Sequence, residues 1–394
     1  MKRWNNAAVK MLLMVMAFGL FGCKPEPAPE EKAYVGEPSQ VCPDGAAQGM
    51  FSVSPDSKVW FSQGNLQFQA STGTWRFAEN QWDVVGFTKM VVNDDQDTLY
   101  AVPGTVAEGD NSAVGESSNA WIDLFGWATS GYTHGAVCYQ PWSISLLNTD
   151  YYAYGDYTRQ LDYDKGTADW GFNAISNGGA QEGLWKTLTK EEWNYLLFER
   201  DSTRRDSTRF AKAALVLAGN ENHRLDSREP DTVKGVILLP DDWKDEYYSL
   251  QNVNDTAKEF TGNVISTQEW SDKLEPHGAV FLPAAGYRFT VYIDNPGNDP
   301  DNPGDDPDDP GDNPDNPGDD PDDPADEGDS DEPEKTPAQW IEGVLETGRY
   351  WTASQYGSGI AYAVSFDSKH LNSKDCQYRC YGQAVRLVRY VKNN

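Results

Sequence analysis

The sequence predicts an α+β fold built from many short strands, few helices and long ordered connections. Three observations carry this. Apolar residues alternate over short runs rather than over long helical stretches. Helix-start signals with a following apolar stripe occur at two places. The connecting segments are rich in Gly, Ser, Asn and Asp. Too few helices separate the strands for a doubly wound sheet, so small sheets with extensive loops are expected.

The elements follow in chain order. Leu66 and Phe68, then a turn over 71–74, then Trp75 and Phe77 alternate as a β-hairpin. Thr189-x-x-Glu192 is a capping box, followed by Trp193, Leu196 and Leu197 at i, i+3, i+4 spacing, which predicts a helix with one buried face. Residues 235–239 and 279–282 are apolar runs of strand length, expected to be buried on both faces. Ser266-x-x-Glu269 repeats the capping device, with Trp270 and Leu274 as the stripe and Pro276 and Gly278 as the stop. Tyr350 and Trp351 on one side and Val385 and Leu387 on the other frame a C-terminal stretch, 357–381, in which no steady apolar face is legible. A rigid frame around an irregular surface suggests binding.

The N-terminus carries an address. Lys2, Arg3 and Lys10 precede an apolar run, 11–18, too short to span a bilayer, and Leu20-Phe21-Gly22-Cys23 closes it. Residues 1–22 are expected to be a signal peptide. Residues 23–49, rich in Pro, Glu and Ala after Cys23, are expected to form a solvated tether.

Beyond it, 14 Trp and 20 Tyr imply wide aromatic packing in a large core. The net charge of −30 is concentrated: 294–336 holds 19 acidic residues against one lysine, −18, leaving −12 elsewhere. That balance argues against a nucleic-acid partner, which needs a basic face. In the acidic tract DNPGDDPDDP at 301–310 returns at 315–324, and ten prolines in 43 residues forbid helix or central strand, so a disordered, extended insertion is expected. It lacks the glycine and glutamate offsets of a calcium loop. Apolar sequence resumes beyond it at Trp340, Ile341, Val344 and Leu345. Closing so long a loop costs only about 3 kcal/mol, so one domain is expected over 50–293 plus 337–394, interrupted by 294–336.

FSQGNLQF (61–68), WIDLFGWATSGY (121–132), ADWGFNAISNGG (168–179), LTKEEW (188–193), GVILLPDDW (235–243), HGAVFLPAAGYR (277–288), YWTAS (350–354) and VRLVR (385–389) resemble segments of a paralogous Bacteroidetes lipoprotein family. The resemblance implies a C-type lectin-like fold of the formylglycine-generating-enzyme type, in which the first and last strands pair and bring 59–61 beside 385–388. The Leu-x-Gly-Cys ending resembles the bacterial lipobox, which implies acylation (diacylglyceryl and palmitate) of Cys23 and an outer-membrane lipoprotein held in the bilayer by its acyl chains.

The chain departs from the enzymes of that fold. Their copper sits on a cysteine pair near the C-terminus after Gly-Gly-Ser; here Cys376 and Cys380 are separated by three residues rather than four, and the strand carries Thr352-Ala353-Ser354. His134, His223, His277 and His370 are scattered singly, and no nucleophile elbow, P-loop or dinucleotide motif occurs. Gln140-Pro141-Trp142 and Glu275-Pro276-His277 each lack the third oxygen of a calcium-lectin tripeptide. No enzyme activity, cofactor or metal site is therefore expected, a copper-dependent oxidase being the remote alternative. Binding of a protein or glycan ligand through aromatic platforms stays open. After Cys23, four cysteines allow three pairings; Cys42 with Cys138 is one, and Cys376 and Cys380 form either a local disulfide or two thiols.

A second resemblance is to lipoproteins diversified by retroelements, in which adenine positions near the 3′ end are rewritten. It implies ligand-contact residues at Gly357, Ile360, Tyr362, Asp367, His370, Asn372, Asp375, Cys376, Tyr378 and Cys380, which should share one face. The expected function is thus a membrane-anchored exported lipoprotein displaying a ligand-binding domain. The alternative is a structural component of the cell envelope or of fimbriae.

Overall fold

The computed structural model describes residues 42–85, 90–92, 99–101, 111, 115–132, 140–156, 158–200, 208–217, 232–294 and 335–391. Cys23, His134, Cys138 and His223, the expected signal peptide and most of the expected tether and acidic insertion lie outside these residues. The architecture is α+β, mostly sheet. Among the described residues it contains β1 (Ala46–Ser52), β2 (Lys58–Ser62), β3 (Leu66–Gln69), β4 (Thr74–Phe77), β5 (Met90–Val92), β6 (Leu99–Ala101), β7 (Trp121–Ile122), β8 (Lys186–Thr187), β9 (Phe210–Val216), β10 (Thr232–Leu238), β11 (Val264–Ser266) and β12 (Val280–Pro283). The C-terminal strands are β13 (Ala285–Asp294), β14 (Lys335–Val344), β15 (Gly348–Gly357), β16 (Ile360–Phe366), β17 (Leu371–Tyr378) and β18 (Leu387–Tyr390). Two short helices, α1 (Lys190–Asn194) and α2 (Thr267–Glu269), follow their capping residues.

Sheet order is β1-β2-β18-β8, β11-β9-β10-β12, β14-β13-β15-β16-β17 and β4-β3-β7, with β5-β6 as a separate pair. The segment 59–61 does lie beside the C-terminal strand, Phe61 opposite Val388 and Val59 opposite Tyr390, so the contact falls on 388–390 rather than 385–388. The strand that pairs there is the second, not the first: β1 begins at Ala46, inside the segment expected as tether, and pairs with β2, which separates it from β18. The predicted hairpin forms in register, Phe68 opposite Trp75 and Leu66 opposite Phe77. β10 and β12, which carry the two apolar runs, are neighbours in one sheet, Val236 opposite Leu282.

The first helix start forms the full capping box: Thr189 accepts from the Glu192 N–H while Glu192 accepts from the Thr189 N–H. The second forms half of one: Ser266 accepts from the Glu269 N–H, and the Glu269 carboxylate takes the Ser266 hydroxyl at 3.4 Å rather than its N–H. Trp193, Leu196 and Leu197 are all buried, each contributing about 1.5–3 kcal/mol. Each helix widens into a π turn, over Tyr195–Glu199 and Trp270–Leu274. The second ends in a 3₁₀ turn, Glu275–His277, with Gly278 at φ +84° as its left-handed cap.

The strands flanking the acidic tract pair with each other along their length, from Ala285 opposite Val344 to Asp294 opposite Lys335. The tract thus joins the two strands of one hairpin.

Asp123, in the 121–132 segment, is 1% exposed. Its carboxylate accepts from the Asn111 amide at 2.7 Å and from the Val85 N–H at 2.9 Å. Burial outweighs these bonds and raises its pKa to about 6. Because the folded value lies above the unfolded one, the carboxyl contributes stability that is complete below about pH 4 and lost as pH rises through about 6. Relative to Asp123→Asn, the natural protein is expected to gain about 2.4 kcal/mol between pH 7 and pH 4. Urea denaturation of both at pH 4, 5.5 and 7 checks this; a pH-independent difference would rule it out.

Candidate functional site

The site is built on β13. Gly286 has φ +73°, and a Cβ there would lie 2.5 Å from the Glu342 carbonyl oxygen, so only glycine fits. β13 meets β15 at a single residue pair, Gly286 with Gly348, while its other edge pairs with β14 along its length. Arg288 turns inward, 1% exposed, and its backbone bonds to Gly382 in both directions. Alternation along the strand then presents Tyr287 and Phe289 together on the other face.

These two rings and Tyr378 and Tyr381 line a cleft of ≈ 450 Å³ together with Glu342, Arg349, Ile360, Cys376 and Gln377. Tyr287 and Phe289 stack at 5.5 Å, and Tyr381 lies 6.4 Å from the first and 6.0 Å from the second. Tyr378 meets Tyr381 edge-on at 5.5 Å. The Arg349 guanidinium sits 3.6 Å over the Tyr287 ring and donates to the Gln377 amide oxygen at 2.9 Å. Tyr287 donates its hydroxyl to Glu342 at 2.8 Å. Burial, and for Tyr287 also the bond to Glu342, raises both the Tyr287 and Tyr381 phenols. Burial, with Asp375 beside it, raises the Cys376 thiol as well. The lining holds one acidic and one basic side chain, Glu342 and Arg349.

The segment 357–381, expected to be irregular, is mostly two regular strands, β16 and β17, whose alternation is broken by a register shift between Ala363 and Ser365. Ala361, Ala363, Val364 and Phe366 face the core. None of the ten nominated contact residues is buried. They do not, however, share one place. Ile360 lies opposite Tyr378 and Tyr362 opposite Cys376, which puts these four on one face. Tyr362 is flanked by exposed Tyr356 at 5.2 Å and by the Lys190 ammonium 4.3 Å over its ring.

Gly357 and Cys380 belong to that same end: Arg379 binds the Gly357 carbonyl, and the Cys380 N–H donates to Asn148. Asp367 and His370 form the opposite turn of the β16–β17 hairpin, about 20 Å away along the strand, where Asp367 accepts from the Lys369 and His370 N–H groups. Asn372 is exposed near that turn, and Asp375 accepts from the Gln377 amide.

Cys42, Cys376 and Cys380 are free thiols, so the local Cys376–Cys380 disulfide does not form. Burial raises Cys42 and Cys380 to about 11. No group of three or more potential metal ligands is found among the described residues. His277 stacks on Tyr247 at 3.8 Å, and His370 bonds to Asp367. Thr352 and Ser354 act structurally: Thr352 donates to the Tyr362 carbonyl, and Ser354 accepts from the Lys190 N–H.

Sequence reasoning nominated Ile360, Cys376 and Tyr378 in the cleft and missed Tyr287, Phe289, Glu342, Arg349, Gln377 and Tyr381. A signal was present in Gly286-Tyr287-Arg288-Phe289, a glycine followed by alternating aromatics on a strand with a buried cation between them. Comparisons with family models, with curated proteins and with solved structures return no match. The class defined by fold and site is a sheet-rich α+β domain with a ligand-sized aromatic cleft.

Proposed function

We propose that this chain is an exported lipoprotein, anchored in the outer membrane through acylated Cys23, that displays a C-type lectin-like domain and binds its ligand in the aromatic cleft without transforming it. One observation carries the reading: a cleft of ≈ 450 Å³, within the size range of small-ligand sites, combines a continuous aromatic surface with a few fixed polar groups. The protonated state of Cys376 and Cys380, both raised by burial, favours binding over a thiolate nucleophile. Pairing of the 59–61 segment with the C-terminal strand supports the lectin-like assignment. That none of the ten nominated residues is fully buried, with His370, Asn372 and Tyr378 exposed, supports a surface that tolerates diversification.

Two measurements test this. Cells fed a clickable palmitate analogue are expected to yield labelled protein that partitions with membranes, both properties lost in Cys23→Ser; labelling that survives the substitution would refute the anchor. Screening the protein against displayed peptides and immobilised oligosaccharides is expected to return a ligand whose binding falls at least tenfold in Tyr381→Ala. A ligand indifferent to that change would move the site elsewhere.

A further inference from the structure

We infer that the cleft is a metal-independent saccharide site that takes a neutral sugar ring of a glycan, a deepening that rests on the binding role proposed above. Tyr287, Phe289 and Tyr381 cluster with centroids 5.5 to 6.4 Å apart, Phe289 and Tyr381 inclined by 52° and one face of Tyr287 covered by Arg349, which leaves Phe289 and Tyr381 as the aromatic faces offered to a ligand. A pyranose offers a flat C–H face that packs on such a surface, as apolar groups do on tyrosine rings while the hydroxyl end stays wet.

The polar groups match the other half of a sugar. Glu342, Arg349 and Gln377 each end in a planar group with two hydrogen-bonding atoms, the geometry that pairs with two neighbouring hydroxyls. They are already held: Tyr287 to Glu342 at 2.8 Å, Arg349 to Gln377 at 2.9 Å and Arg349 over Tyr287 at 3.6 Å. Side chains fixed in advance lose little entropy when a weakly binding, hydroxyl-rich ligand arrives.

Charge narrows the class. The lining's one positive and one negative group leave no net attraction for an anionic sugar, and the chain's charge of −30 repels one at distance. A cationic ligand would meet Arg349 already stacked on Tyr287. Glu342 is the single carboxylate of the lining, so a calcium-bridged sugar lacks its oxygen ligands there. The volume of ≈ 450 Å³ accommodates about one or two sugar rings.

The test uses full-length acylated protein in a detergent without a sugar headgroup, in EDTA. It is applied to immobilised oligosaccharides ending in glucose, mannose, galactose, N-acetylglucosamine or sialic acid. Retention on at least one neutral probe is expected, unchanged by calcium. It should fall at least tenfold in Tyr381→Ala and in Glu342→Ala, and be unaffected by Tyr163→Ala, an exposed ring that does not line the cleft. Glu342 is exposed, so its variant keeps the test decisive if Tyr381→Ala fails to fold. Binding confined to the sialylated probe, or dependent on calcium, overturns the inference. A displayed peptide that binds through Tyr381 while no neutral probe does overturns the saccharide assignment and leaves the binding role intact. Neutral-probe binding that ignores both cleft substitutions overturns the two together.

Discussion

Gly171→Ala is expected to destabilise the protein by about 3 kcal/mol or more, the cost of overpacking a site that cannot relax. A Cβ at Gly171 would lie 2.0 Å from the Trp185 carbonyl oxygen, 2.3 Å from its carbon and 2.8 Å from the Lys186 nitrogen. All three are backbone atoms, so no rotamer change makes room. The neighbouring chain is also pinned: Asp169 accepts from the Gly171 N–H at 3.0 Å, the Thr187 N–H at 2.9 Å and the Thr187 hydroxyl at 2.7 Å. Moving 185–187 away breaks these bonds and disturbs β8, which pairs with β18 through Leu387 and Thr187. Gly115→Ala, where a Cβ meets open space, is the control and should change stability by less than about 0.5 kcal/mol. Urea midpoints of the two variants decide the matter; equal midpoints would mean that the 171 to 185 contact is looser than described.

Arg379→Ala is expected to cost about 3–5 kcal/mol and to loosen one end of the proposed binding face. The side chain is fully buried, its guanidinium 4.7 Å over the Trp127 ring. It donates to the carbonyls of Tyr152 and Gly357 and, at 2.7 Å, to the Gln355 side chain. Its own backbone joins Trp127 and Gly359. Alanine leaves these acceptors buried without their donor. Lysine cannot reach them at once, because a single ammonium lacks the planar fork of a guanidinium, so Arg379→Lys should rescue little. Hydrogen exchange is expected to accelerate first around 355–360. Full recovery of stability by lysine would show that charge alone matters there.

How much of this was legible before folding varies by element. The 66–77 hairpin, the two capping boxes and the buried runs of β10 and β12 were readable because each is decided by neighbours within a few residues. The stretch 357–381 misled because register shifts, between Trp351 and Gln355 and again between Ala363 and Ser365, break the period-two pattern around and within it. Arg379, a core residue in the middle of an expected display surface, gave no local sign of burial, since its acceptors come from Tyr152, Gln355 and Gly357.

By itself the sequence determined the α+β class, the helix starts, several strands and the separation of an acidic tract from aromatic-rich chain, all of which follow from composition and short-range periodicity. Only the tertiary structure decided the cleft. Tyr287 and Phe289 reach Tyr381 because β13 meets β15 only at Gly286 and Gly382 binds back onto Arg288. That encounter joins residues almost a hundred positions apart, and pairing at such range is fixed by packing of the whole chain, which no local pattern encodes.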